Sequence, residues 1–163
     1  MRLTLWTAFA IFVFDQATKW AVVHWMNLSG KGVIEVAPPY LVFRMAWNRG
    51  VNFGLFSSLD MRWALIALAL VISGLVLWWI RRDGGNVWAR MSAGLLVGGA
   101  IGNVVDRLLY GAVADFLNMS CCGLANPYAF NVADIAIFAG AIGLVLFAGE
   151  DGGTSKRRAK KTA

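Results

Sequence analysis

The chain has 163 residues, 59% hydrophobic and 15% charged, with a formal net charge of +6. A soluble domain of this size carries about 25% charge, so an ordinary water-soluble globule is excluded. The positive excess does not form a nucleic-acid arm. It gathers at Arg2, at Arg81, Arg82 and Arg90, and at Lys156, Arg157, Arg158, Lys160 and Lys161; apart from Lys19 and Arg107, which lie within apolar stretches, the remaining cations are Lys31, Arg44, Arg49 and Arg62.

Apolar stretches at about 3–26, 63–80, 91–110 and 131–149 approach the ~20 residues that span a bilayer. The expected fold is therefore membrane α-helical, with four transmembrane helices. One integral membrane domain over 1–150 is the simplest organisation. Four crossings put the basic clusters on one side, which the positive-inside rule makes cytoplasmic for both termini. Residues 151–163, Asp-Gly-Gly-Thr-Ser-Lys-Arg-Arg-Ala-Lys-Lys-Thr-Ala, read as a disordered basic cytoplasmic tail.

The first stretch is longer than a signal-peptide core and no cleavage pattern follows it, so a retained helix is expected. It carries Asp15 and Lys19, four residues apart and acid first, which places them on one face as a pair. At 1.5 Å per residue, Asp15 lies about 18 Å from Leu3, past the midplane. His24, the only histidine, stands beside Trp25 near the outer end and reads as an interfacial side chain.

Residues 27–62 are expected as a small β-sheet on the outer bilayer surface. Runs 33–36 and 40–47 are β-prone and are separated by Pro38-Pro39. Asn48-Arg49-Gly50-Val51-Asn52-Phe53-Gly54 follows. The stretch 63–80 has no internal charge and reads as scaffold. The next helix is rich in small residues (Ala93, Gly94, Gly98, Gly99, Ala100, Gly102), which let helices approach closely. It ends on Asn103, Asp106 and Arg107, three and four apart on one face. Asp115 follows at the outer mouth, and Asn131 and Asp134 open the last helix from the same side. Cys121 and Cys122 are adjacent and make a poor staple, because the loop they close is trivially short.

Charge at a bilayer centre costs roughly 2.5–3.5 kcal/mol per Asp, Lys or Arg on insertion scales. Polar residues delivered to one depth by three helices therefore point to a site. Its inventory removes several chemistries. There is no Gly-x-Ser-x-Gly elbow and no His-Glu-x-x-His zinc motif, so neither a serine triad nor a metal site is expected. Carboxylates remain. Asp115 and Asp134 lack a sequence-adjacent cation, and two acids held close share a proton, one activating water and the other polarising a carbonyl.

Five clusters carry a resemblance: Asp15-Gln16-Ala17-Thr18-Lys19, Asn48 to Gly54, Gly98 to Arg107, Val113-Ala114-Asp115-Phe116, and Phe130 to Asp134. Together they resemble lipoprotein signal peptidase, also called signal peptidase II, in order and spacing from Asp15 to Asp134. The resemblance implies an aspartic endopeptidase of the bacterial inner membrane that removes signal peptides from diacylglyceryl-modified prolipoproteins, just before the lipidated cysteine. It implies Asp115 and Asp134 as the catalytic pair. Asp15, Lys19, Asn48, Gly50, Asn103, Asp106, Arg107 and Asn131 are then supporting or substrate-contacting. Cofactor and metal are expected absent. The partners expected are the prolipoprotein and membrane lipids, with the enzyme acting as a monomer near the extracytoplasmic face.

From the residues alone two other readings stay open. A proton-coupled carrier also places Asp and Lys in the bilayer, though distributed through its depth. An assembly subunit pairs its charges with a partner helix. Within the site, Arg107 is expected to pair with Asp106 or a backbone carbonyl, and Asn103 and Asn131 to bind substrate backbone or orient the acids.

Overall fold

The structure, a computed structural model, describes residues 1–50, 61–123 and 126–147. Asn52, Phe53, Gly54, Phe56 and the basic tail lie outside the described residues. The central element is α4, Val87–Tyr110. Asn86 caps its start by accepting the Ala89 N–H at 2.9 Å, and Gly111 in the left-handed region ends it. Both are the residue types that satisfy orphan helix-end groups.

Around α4 stand α1 (Arg2–Trp20), α3 (Met61–Asp83) and α5 (Val132–Phe147), with a four-residue α2 (Leu28–Lys31) beyond α1. The small-residue face of α4 makes this possible. A Cβ on Gly98 would collide with the Ala8 backbone of α1, so only glycine permits that crossing. Among the described residues, α3 and α4 are long and apolar enough to cross a membrane. Outward faces are greasy: Trp6, Phe138 and Val145 are 69%, 70% and 84% exposed. A contiguous apolar exterior of that kind suits lipid and not water.

The helix of residues 3–26 expected from hydropathy is present with a modification. After Trp20 it widens into a π turn, Ala21–Trp25, closed by the Met26 N–H on the Ala21 carbonyl at 2.8 Å. The small sheet is also present and has one strand more than the sequence pattern suggested. Strands β1 (Val33–Ala37) and β2 (Leu41–Asn48) form an antiparallel hairpin, and β3 (Val113–Asn118) adds antiparallel to β2. Asp115, expected at the outer mouth just after the helix end, sits on a strand opposite Ala46. Val113–Asn118 was missed because it is buried nearly throughout and shows no period-two alternation.

The sheet is locked to the π turn and α2. Phe116 and Leu28 are fully buried with Val22 of the π turn, and Phe43 meets Phe116 edge-on at 5.8 Å. Beyond β3 the chain returns, and Phe130 exchanges backbone hydrogen bonds with Leu117 at 2.8 and 2.9 Å. That pairing delivers Asn131, and then α5, beside Asp115.

Candidate active site

Asp115 and Asp134 reach the site from a strand and a helix start. Asp115 is 3% exposed. Its Oδ1 accepts from Asn131 Nδ2 at 2.6 Å and its Oδ2 from Asn48 Nδ2 at 3.0 Å. Asn48 stands opposite Val113 in the β2–β3 register, so its side chain emerges on the face that carries Asp115. Burial first, and then the negative charge of Asp134, push the Asp115 carboxyl up from 3.8 to about 6. The bonds from Asn48 and Asn131 and the charge of Lys19 act the other way.

Asp134 belongs to a reciprocal cap. The Asn131 Oδ1 accepts the Asp134 N–H at 2.9 Å, and Asp134 Oδ2 accepts the Asn131 N–H at 3.2 Å. This is the capping-box arrangement at a helix start, built from Asn and Asp. Its second oxygen accepts from Asn103 Nδ2 at 2.8 Å. One fully buried residue, Asn131, thus bonds both carboxylates, Asp115 through its side-chain amide and Asp134 through its backbone N–H.

Behind them lies a buried charge cluster. Lys19 Nζ meets Asp15 Oδ2 and Asp106 Oδ2, both at 2.8 Å, and Asn103 Oδ1 at 3.2 Å. All three ammonium donors are used. Asp15 and Asp106 are 0% and 1% exposed. Each carboxylate also fixes backbone next to the acids. Asp15 Oδ1 accepts the Ala133 N–H at 2.9 Å, at the start of α5 where a negative charge is favourable. Asp106 Oδ2 accepts the Ala114 N–H at 3.1 Å, one residue before Asp115. A Cβ on Gly102 would lie 2.6 Å from Asp15 Oδ2, so glycine makes room for this carboxylate.

One expectation is corrected. Asp106 pairs with Lys19 rather than with its sequence neighbour Arg107, because adjacent helix positions point about 100° apart. Arg107 Nη1 instead donates to the Asn103 carbonyl at 3.3 Å, the backbone alternative. Its Nε is buried with no partner among the described residues. Asn103 and Asn131 orient the acids. Gly50 lies just past β2, its N–H on Asn48 Oδ1 at 3.0 Å. Gln16 was not singled out from sequence, yet its amide donates to Asp106 at 3.0 Å and to Asp15 at 3.2 Å. Its signal was its place between Asp15 and Lys19 in the first cluster. No group of three or more metal-ligating side chains occurs among the described residues.

An apolar groove of about 450 Å³ opens between α3, α4 and α5. Leu65, Leu68, Ile72 and Ile137 line its walls, and Asn103 and Arg107 are its polar members.

The signal peptidase II family model matches residues 7–148. The chain belongs to the signal peptidase II family. Lipoprotein signal peptidases are similar to it over most of both chains. The one from Methylobacterium sp. (strain 4-46) is 40% identical over 88% of this chain and 87% of its own. That from Methylorubrum extorquens (strain PA1) is 42% identical, over 84% and 80%. Among solved structures, a bacterial membrane enzyme at 1.9 Å resolution superposes with a TM-score of 0.78 and 26% identity, covering 93% of this chain and 95% of that one. A second, at 2.3 Å resolution, gives 0.75 and 25%, covering 94% and 92%. Family membership makes this chain an enzyme, a membrane protease of an aspartic peptidase family.

Proposed function

We propose that this chain removes the signal peptide from diacylglyceryl-modified bacterial prolipoproteins, cutting just before the lipidated cysteine, with Asp115 and Asp134 as its acting acids. The observation that carries the reading is Asn131, whose side-chain amide donates to the Asp115 carboxylate at 2.6 Å and whose backbone N–H donates to the Asp134 carboxylate at 3.2 Å. The relatives' name supplies the substrate class.

The chemistry follows from the two environments. Asp115, whose carboxyl is raised by burial to about 6, is the acid to which the mechanism assigns the proton. Asp134, braced by two N–H donors, supplies the carboxylate. Asp134 takes a proton from water as that water attacks the scissile carbonyl carbon, and Asp115 gives its proton to the carbonyl oxygen. The tetrahedral diol then returns a proton to Asp115. Asp134 protonates the leaving nitrogen as the C–N bond breaks. Both acids end as they began. Arg107 Nε is a spare donor for a substrate carbonyl at the head of the apolar groove. That groove suits a signal peptide's apolar segment entering from the bilayer.

The membrane setting completes the reading. Helices α1, α3, α4 and α5 cross the bacterial inner membrane as one domain with both termini cytoplasmic, a placement the basic clusters support. The acids then lie near the extracytoplasmic face, level with a lipid-anchored substrate. The enzyme acts as a monomer, and the tail beyond residue 150 stays cytoplasmic. The deciding experiment is single-turnover cleavage of a diacylglyceryl-modified prolipoprotein beside its unlipidated form. Purified wild-type enzyme should cut the first alone, and Asp115→Asn and Asp134→Asn should each reduce the rate by at least ~10²-fold. Near-normal turnover in either folded variant would remove the mechanism.

A further inference from the structure

A second cavity, of about 230 Å³, touches Lys19 and Asp106 but neither Asp115 nor Asp134. Its floor is Gln16, Lys19, Asp106 and Ala114, and its walls are largely aromatic: Trp20, Trp47 and Tyr110, with Val23 and His24 added by the π turn. The Trp47 and Tyr110 rings contact one another at 5.6 Å. Single π turns inside helices concentrate at functional sites, and this one supplies a wall to a cavity the peptidase chemistry does not use.

The floor selects against anions. The three Lys19 donors are already spent on Asp15, Asp106 and Asn103, so the floor's ammonium has no free donor for a phosphate or carboxylate. Lys19, Asp15 and Asp106 together carry one net negative charge. Gln16 donates its amide to Asp106, Asp15 and the Gly102 carbonyl, which leaves its Oε1 as an acceptor. Aromatic faces over a net-negative, acceptor-bearing floor attract a cation, the arrangement that recognises alkylammonium groups. The size is smaller than the ~300–1,000 Å³ of drug-sized pockets and suits a headgroup end better than a peptide. Trp20 and Tyr110, 63% and 52% exposed, keep the mouth open to the surroundings. Such rings are enriched at the headgroup level of a bilayer.

We infer that this cavity binds an alkylammonium group, carried in the membrane by a zwitterionic phospholipid headgroup. The membrane setting is shared with the peptidase reading, but the acids are not involved. Lipid retention and peptide cleavage are therefore measured separately, and failure of one leaves the other standing.

The test is native mass spectrometry of the full chain in detergent, equilibrated with equimolar phosphatidylethanolamine and phosphatidylglycerol of identical acyl chains. Wild-type protein should retain the ethanolamine lipid roughly fivefold over the glycerol lipid, a difference of about 1 kcal/mol. Soluble choline, added in a second arm, should displace it if the ammonium alone is recognised. Displacement only by intact lipid would assign the site to headgroup and chains together. Trp20→Leu and Tyr110→Leu should bring the ratio toward unity while the melting temperature holds. If Tyr110→Leu does not fold, the more exposed Trp20 still decides. Equal retention of the two lipids, preference for the anionic lipid, or a ratio unchanged in folded variants would overturn the assignment.

Discussion

Replacing Lys19 by Met removes a cation that touches two buried carboxylates, Asp15 and Asp106. The side chain fits by length, so the perturbation is one of charge. Lys19 gives up two ion pairs at 2.8 Å and a hydrogen bond at 3.2 Å, and Asp15 and Asp106 stay at 0% and 1% exposure with hydrogen-bond donors but without that cation. Breaking a buried pair by deleting one partner costs about 3–5 kcal/mol. For a chain of this size that is a fall in melting temperature of roughly 6–20 °C, at 2–4 °C per kcal/mol. Asp15→Asn should cost less, because the cluster then balances at one positive and one negative charge. The triple variant Lys19→Met/Asp15→Asn/Asp106→Asn should recover much of the loss, since a neutral cluster leaves no charge unpaired. The assay is thermal unfolding in detergent, with cleavage rate recorded alongside. A Lys19→Met protein melting within a degree or two of wild type, or a triple variant no better than Lys19→Met, would refute the reasoning.

The pH profile tests Asp115. Its folded-state pKa, about 6, is raised above 3.8. The proton's contribution to stability is thus full below 3.8 and lost as pH rises through about 6, and kcat/KM should fall on the alkaline side with a one-proton limb near the same value. Asn48→Ala removes a bond that favours the charged form and should move that limb upward; an unmoved or lowered limb would argue against Asp115 as the proton holder. Gly102→Ala puts a methyl 2.6 Å from Asp15 Oδ2 and should destabilise by about 1–3 kcal/mol, read by thermal unfolding. Gly84→Cys, in a background lacking Cys121 and Cys122, should resist a membrane-impermeant thiol reagent in intact cells, and ready labelling from outside would invert the proposed topology. Truncation after Glu150 should leave single-turnover cleavage intact once amounts are matched.

The parts of this fold that were legible in the sequence are those governed by local periodicity and by the cost of burying charge. Hydropathy located the helices because lipid-facing and packed positions are apolar alike. The β1–β2 hairpin followed from β-prone runs around Pro38-Pro39. Asp15 and Lys19 were placed together by a four-residue spacing, and the structure has them at 2.8 Å. What stayed hidden was decided by tertiary contact. Asp106 bonds Lys19, 87 positions earlier, and no helical spacing reveals that choice. The third strand was invisible because its alternation is erased by burial on both faces. The reciprocal cap was legible in principle, as Asn131-x-x-Asp134 before an apolar run, yet only the returning Phe130 explains why that cap lands against Asp115.

The distribution of cost within the cluster explains why so many charges are tolerated in a greasy chain. A lone buried ion pair is weak evidence of stabilisation, since desolvation offsets attraction. Here each carboxylate behind the acids does two jobs. Asp15 neutralises Lys19 and holds the Ala133 N–H of α5; Asp106 neutralises Lys19 and holds the Ala114 N–H of β3. The backbone segments carrying Asp134 and Asp115 are thereby tied to one ammonium. Their relative position depends on a cluster that is rigid because every Lys19 donor is used. Under the proposed mechanism, which sets Asp115 and Asp134 to work on one peptide bond, their geometry requires a brace of this kind. The brace is also why substitutions at Asp15 and Asp106 should lower both stability and cleavage, whereas Asp115→Asn and Asp134→Asn should lower cleavage with the fold retained.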